Sequence, residues 1–253
     1  MKEKLYTIPL NDAVNAQDEC PLCHVERSLE QDMLDFTLGS SASYMESDVR
    51  EITDKEGFCR THFKKMFDYG NTLGNAWILK THYVKMRSEF QSVTKNYQPG
   101  KVSLSDKLLK KNTGGNTLAN WVHDKEASCY ICNRMKEIYV CYIDTFLVLF
   151  ENDEEFRNKI KNSKGFCFPH FADLCEGADK KLSEKNLGEF YQMIIPLMQE
   201  NLDRMQEDVD WMVEKFDYRY KDADWKNSKD AIQRGMQKLK GGYPSDAPYK
   251  PAR

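Results

Sequence analysis

One cysteine–histidine pattern occurs twice in this chain, and it constrains the fold more than any other feature. Cys20-Pro-Leu-Cys23 is followed by Gly57-Phe-Cys59-Arg-Thr-His62-Phe63, and Cys129-Tyr-Ile-Cys132 is followed by Gly165-Phe-Cys167-Phe-Pro-His170-Phe171. Each half therefore reads C-x2-C, a long spacer, then G-F-C-x2-H-F. Three thiolates and one imidazole are a complete tetrahedral ligand set for zinc, and a short C-x2-C turn aims both sulfurs at one ion. The expectation is two zinc ions, one per half. Cys20, Cys23, Cys59 and His62 would hold the first, and Cys129, Cys132, Cys167 and His170 the second. Four protein ligands leave no open position for water, which favours a structural over a catalytic ion.

Other chemistries compete for the same residues. Three Cys and one His can ligate an iron–sulfur cluster. A C-x2-C pair can cycle to a disulfide, although the βαβ context of a thioredoxin-like site is missing. Cys20-Pro-Leu-Cys23-His24 matches a haem-attachment motif formally. The second half, however, carries Asn133 where the first carries His24. Two cysteines, Cys141 and Cys175, have no counterpart in the other half. They read as small buried hydrophobes.

The repeat extends beyond the ligands. Asp48-Val49-Arg50 matches Glu155-Phe156-Arg157, both ahead of the next Gly-Phe-Cys. This looks like duplication of a helical unit of about 100 residues, too long a period for a solenoid. Apolar residues at helical spacing follow each C-x2-C. They are Val25, Leu29, Met33 and Phe36, then Met135, Ile138, Tyr142, Phe146, Leu149 and Phe150. A shorter acidic helix should lead to each Gly-Phe-Cys, with the glycine turning the chain toward the metal. Short helices from Phe63 and Phe171 should stop at Gly70 and Gly177. A long helix should close each unit. The first carries Ile78, Leu79, His82, Tyr83, Met86 and Phe90 on one face. The second carries Phe190, Ile194, Met198, Met205, Val209, Met212 and Phe216. Pro196 should kink it. The fold class is all-α, in two duplicated units. The organisation read from sequence is a first unit over 1–95, a linker over 96–120, a second unit over 121–225, and a basic, partly mobile tail over 226–253.

Hydrophobic residues make up 40% of the chain and charged residues 30%, with a net charge of −3. That balance is ordinary for a soluble globular protein and argues against a nucleic-acid binder. No apolar run approaches a membrane span, and the N-terminus lacks a signal peptide's apolar stretch. The expected location is the cytoplasm, where thiols stay reduced and paired cysteines favour metal over disulfides. No phosphate loop, dinucleotide fingerprint or hydrolase motif appears. His82 reads as a core residue and His123 as a surface one. Just after the last long helix, Tyr218, Tyr220 and Trp225 cluster with Arg219. Such a composition is enriched at protein interfaces. A protein partner is expected there. The expected role is an interaction or regulatory module, with an iron–sulfur or dithiol redox protein as the alternative.

Together, Cys20-Pro-Leu-Cys23, Asp48-Val49-Arg50, the two Gly-Phe-Cys-x2-His-Phe motifs, Phe216-Asp-Tyr-Arg219 and Asn227-Ser-Lys-Asp-Ala231 resemble a bacterial family numbered 6062 among domains of unknown function, found mainly in anaerobic Firmicutes. The resemblance spans roughly residues 5 to 240. It implies a bacterial cytosolic protein and no established activity.

Overall fold

The computed structural model describes residues 2–95, 97 and 116–242, and no strand occurs among them. In chain order the helices are α1 (Lys2–Asn15), α2 (Pro21–Leu38), α3 (Ser47–Glu56), α4 (Arg60–Tyr69), α5 (Thr72–Lys95), α6 (Thr117–Glu126), α7 (Tyr130–Asn152), α8 (Glu154–Lys161), α9 (Phe168–Lys181), α10 (Glu184–Glu214) and α11 (Ala231–Lys240). Local chemistry sets several boundaries. Asp153 caps α8 by accepting from the Phe156 amide, with acidic residues in the first turn and lysines in the last. The helix dipole favours that distribution of charge. Ser183 caps α10 in the same way through the Asn186 amide. The expected linker lies largely outside the described residues, although Thr117 to Asn120 already belong to α6.

The two compact units do not follow the two halves of the sequence. One combines the residues up to Leu29 with those from Lys136 onward; the other is Glu30–Met135. The boundaries fall inside α2 and α7. The larger unit is built on an aromatic core in which Phe146 meets both Phe156 and Phe166 edge-on and Phe150 meets Phe190. Leu10, Val14, Leu22, Ile160, Leu174 and Ile194 close around it. The smaller unit packs Leu34, Leu38, Phe58, Met66, Tyr69, Ile78 and Ile131.

Several expectations need correction. Gly177 does not stop α9. It lies within the helix, against Ile143 and Leu147 of α7, where its missing side chain permits the close approach. On α2 Val25 and Leu29 are buried as expected, but the core continues through Leu34 and Leu38 rather than Phe36, which is exposed. On α5 only Ile78 of the expected face is fully buried, and Tyr83 and Phe90 are exposed. His82 is half-buried, its Nδ1 3.1 Å from the Asp54 carbonyl. On α10 burial ends at Met205, and the helix runs on past Pro196 to Glu214.

The largest correction concerns the basic tail. Residues 231–240 form α11, and its Arg234, Gln237 and Lys238 are buried. Their charged and donor groups are matched. Arg234 pairs with Glu19, Asp208 and Asp230. Gln237 donates to Asp18, and Lys238 Nζ lies 3.2 Å from the Glu19 carboxylate. Residues 243–253, the end of the tail expected to be mobile, lie outside the described residues.

This network predicts a pH dependence. Burial opposes ionisation of Asp18 and Glu19. Arg27 and Gln237 on the first, and Arg204 and Lys238 on the second, outweigh it and hold both carboxyls below their ordinary values. A carboxyl held low by folding contributes stability above its unfolded pKa, and that contribution is lost as pH falls through the folded pKa. The urea midpoint should therefore fall below about pH 4. Glu19→Gln should flatten part of that slope, and an unchanged slope would exclude Glu19 as its source.

Candidate metal centres

Every candidate ligand lies at the start of a helix. Cys59 and Cys167 are the N-cap residues of α4 and α9, and His62 and His170 follow three residues later, in the first turn. Cys20 and Cys129 immediately precede α2 and α7, with Cys23 and Cys132 in the first turns. Pro21 suits the first helical position because its missing N–H is not needed there. Positions three apart on a helix share a face, so each motif presents two ligand atoms together. The positive end of the helix dipole favours thiolates at these sites. Gly57 adopts φ of 64° and Gly165 φ of 71°. Only glycine enters this region readily, and the turn redirects the chain from the acidic helix to the ligand helix.

The structure brings all eight predicted ligands into two clusters but exchanges their partners. Cys20 and Cys23 meet Cys167 and His170, while Cys59 and His62 meet Cys129 and Cys132. The expected one-ion-per-half grouping is therefore corrected: each cluster takes C-x2-C from one repeat and C-x2-H from the other. In each repeat the helix after C-x2-C is longer than the one before Gly-Phe-Cys, 18 residues against 10 in the first and 23 against 8 in the second.

Both clusters have the dimensions of a single-ion site. In the first, His170 Nδ1 lies 3.3, 3.5 and 3.2 Å from the sulfurs of Cys20, Cys23 and Cys167, and Cys23 lies 3.6 Å from Cys167. In the second, His62 Nδ1 lies 3.3, 3.2 and 3.3 Å from Cys59, Cys129 and Cys132, and Cys59 lies 3.9 Å from Cys132. Tetrahedral zinc with ordinary bond lengths implies S···N edges of about 3.5 Å and S···S edges of about 3.8 Å. The donor set and its spacing fit such an ion. A backbone hydrogen bond of 2.9 Å from the Tyr130 amide to the Gly57 carbonyl pins the two ligand loops of the second cluster.

The electrostatics favour a cation at both points. Burial opposes a charged ring at His62, yet the Cys129 sulfur and the Glu30 carboxylate raise its pKa to about 10. Burial also opposes ionisation of Cys129, yet His62 brings it down to about 6. Burial and the neighbouring Cys129 push Cys132 up to about 12. His170 is raised further than His62, against burial, by Cys167, Cys20, Cys23 and Glu26. Positive charge is stabilised where the sulfurs converge, and a divalent ion supplies it without a proton. The matching model is that of a family of unknown function, DUF6062, and it covers residues 1–246.

The chain belongs to this family. Neither the curated proteins nor the solved structures contain a match to it.

In this DUF6062 member, sequence reasoning missed the groups that orient the ligands. His170 Nε2 lies 3.1 Å from Glu26 and His62 Nε2 lies 3.1 Å from Glu30. Such a carboxylate fixes the ring and raises its basicity toward a metal. Both glutamates lie on α2, one turn apart. That spacing was legible after Cys23, but a solvated helix face has the same pattern. Glu30→Ala is expected to weaken metal binding at the second cluster roughly 10- to 100-fold. Competitive titration with a chromophoric chelator would measure it, and an unchanged affinity would remove Glu30 from the site. Lys238 was also missed. Its Nζ donates to the Glu19 and Lys164 carbonyls at 2.6 Å each, tying the chain before Cys20 to the chain before Cys167.

Of the other cysteines, Cys141 and Cys175 are half-buried and belong to neither cluster. Phe216 and Tyr218 are each 82% exposed, whereas Trp225 is half-buried with the Lys215 ammonium 5.0 Å from its ring. Tyr220 packs against Trp211. The most exposed aromatics of the expected surface are therefore Phe216 and Tyr218, with Tyr220 exposed to a lesser degree. No helix among the described residues is long and apolar enough to cross a membrane.

Proposed function

We propose that this protein is a two-zinc helical module of the reducing cytoplasm that binds a protein partner through Phe216 and Tyr218. The observation that carries the metal half is the close mutual approach of the four ligand atoms in each cluster. Contacts of 3.2 to 3.9 Å suit one ion. An iron–sulfur cluster is a larger body that spreads its protein ligands around its outside, so the compact spacing favours zinc. The eight cysteines form no disulfide. That is in keeping with a reducing compartment. Elemental analysis of protein purified without oxygen should find about two zinc per chain and no visible absorbance. Iron with sulfide and a brown colour would overturn the assignment.

The partner half rests on the exposed aromatic pair, which the fold leaves outside its core. Point substitutions are the appropriate test, because truncation after Tyr220 would also remove α11 and its buried contacts. Phe216→Ala with Tyr218→Ala should change stability by less than about 0.5 kcal/mol. The intact protein should form cross-links to a partner in cells, and the same variant should abolish them. Cross-links that survive it would exclude this surface.

A further inference from the structure

The two clusters share a ligand set but differ in cover. In the first, Cys20, Cys23 and Cys167 are at most 1% exposed and His170 is 4% exposed. The end of α11 lies over the sulfurs. A Cβ at Gly241 would sit 3.5 Å from the Cys167 sulfur and 3.7 Å from the Cys23 sulfur, and φ is +75° there. A Cβ there would make ordinary contact with both sulfurs, and it is the positive φ that favours glycine. Gln237 and Lys238 fasten the same helix from below. An incoming ligand has no route to this ion until α11 lifts.

The second cluster is uncovered on one side. His62 and Cys129 are buried, but Cys132 is exposed and Cys59 half-buried. Cys132 stands in the first turn of α7. Rotation of its side chain there swings the sulfur outward without unfolding the helix. Zinc exchanges ligands by expanding its coordination to admit the newcomer before a resident leaves. That route needs an exposed face and a resident ligand free to depart, and this site has both.

We propose that the Cys59–His62–Cys129–Cys132 site is an exchange site, which passes a thiophilic divalent ion to and from thiolate-bearing acceptors through Cys132. The first site holds a permanent structural ion. In the exchange step a bond from the ion to an incoming thiolate forms and the bond to Cys132 breaks. The proton of the incoming thiol ends on the Cys132 sulfur, and no electrons move. This inference rests on the two-zinc reading above and adds unlike roles for the two ions.

The test is zinc release from the full chain, first loaded to two equivalents and then mixed with excess 4-(2-pyridylazo)resorcinol in a stopped-flow instrument. Release should show two phases of about one equivalent each, differing roughly tenfold or more, because lifting α11 costs free energy that turning Cys132 does not. Cys132→Ser should eliminate the fast equivalent and leave the slow one. Gly241→Val should speed the slow phase alone. Release of both equivalents at one rate would overturn the proposal, as would a fast phase that survives in Cys132→Ser. Failure of the two-zinc reading itself is distinguishable, because loading would then stop short of two equivalents before any chelator is added, and the exchange role would fall with it.

Discussion

Replacing Cys20 and Cys167 together is expected to cost one bound metal ion, whereas replacing Cys20 and Cys59 together is expected to cost two. The exchanged grouping makes this the sharpest result to seek. Cys20 and Cys167 belong to one cluster although they are far apart in the chain, and Cys20 and Cys59 belong to different clusters although they share a repeat. The free energy of a structural zinc ion is folding free energy, so each lost ion should lower stability by on the order of several kcal/mol. Residues sharing one ion act as a unit, so their losses should be strongly non-additive, while losses at separate ions should nearly add. Zinc stoichiometry and urea unfolding of the two double serine variants and their three single parents would measure both quantities. Additivity for Cys20 with Cys167, and non-additivity for Cys20 with Cys59, would restore the grouping by repeat and refute the structure.

Lys238→Met should be the most damaging substitution away from the ligands, at about 2 to 5 kcal/mol. The ammonium is buried, and burial pulls its pKa down while Glu19 supports the charge. It satisfies two carbonyls and faces a carboxylate that is itself buried. Methionine fills the volume but leaves the buried Glu19 and Lys164 carbonyls without their donor; the Glu19 carboxylate keeps Arg204 and Arg234, so the two orphaned carbonyls carry most of the cost. There is a second consequence. Three thiolates around a divalent ion carry one negative charge in excess, and Lys238 is a buried cation whose partner Glu19 adjoins Cys20. Metal retention at the first cluster should fall together with stability. Lys240→Met is the control, since Lys240 is exposed on the same helix. That substitution should change stability by less than about 0.5 kcal/mol. Equal, small effects at both positions would show that α11 is not fastened through Lys238.

The candidate ligands were legible because their geometry is local. C-x2-C and C-x2-H each need one turn of helix to bring two donor atoms together, and a glycine before the second motif to turn the chain. The helices were legible for a similar reason, since apolar spacing along Val25 and Leu29 or Phe146 and Phe150 reports one face of one element. The reading failed where a face outlasted its cover, as at Tyr83, Phe90 and Phe216. Periodicity says which side of a helix is apolar and not what lies against it.

By itself the sequence determined the all-α class, the eight cysteines and histidines that gather into two clusters, the turn at each Gly-Phe-Cys and the family. Only the tertiary structure decided which of these residues lie together, because that depends on the packing of elements far apart in the chain. It also decided that Glu26 and Glu30 face imidazoles and that the basic residues of α11 are buried in ion pairs. A glutamate or lysine on a helix looks the same in sequence whether it meets water or a buried partner, and the difference is made by elements distant in the chain.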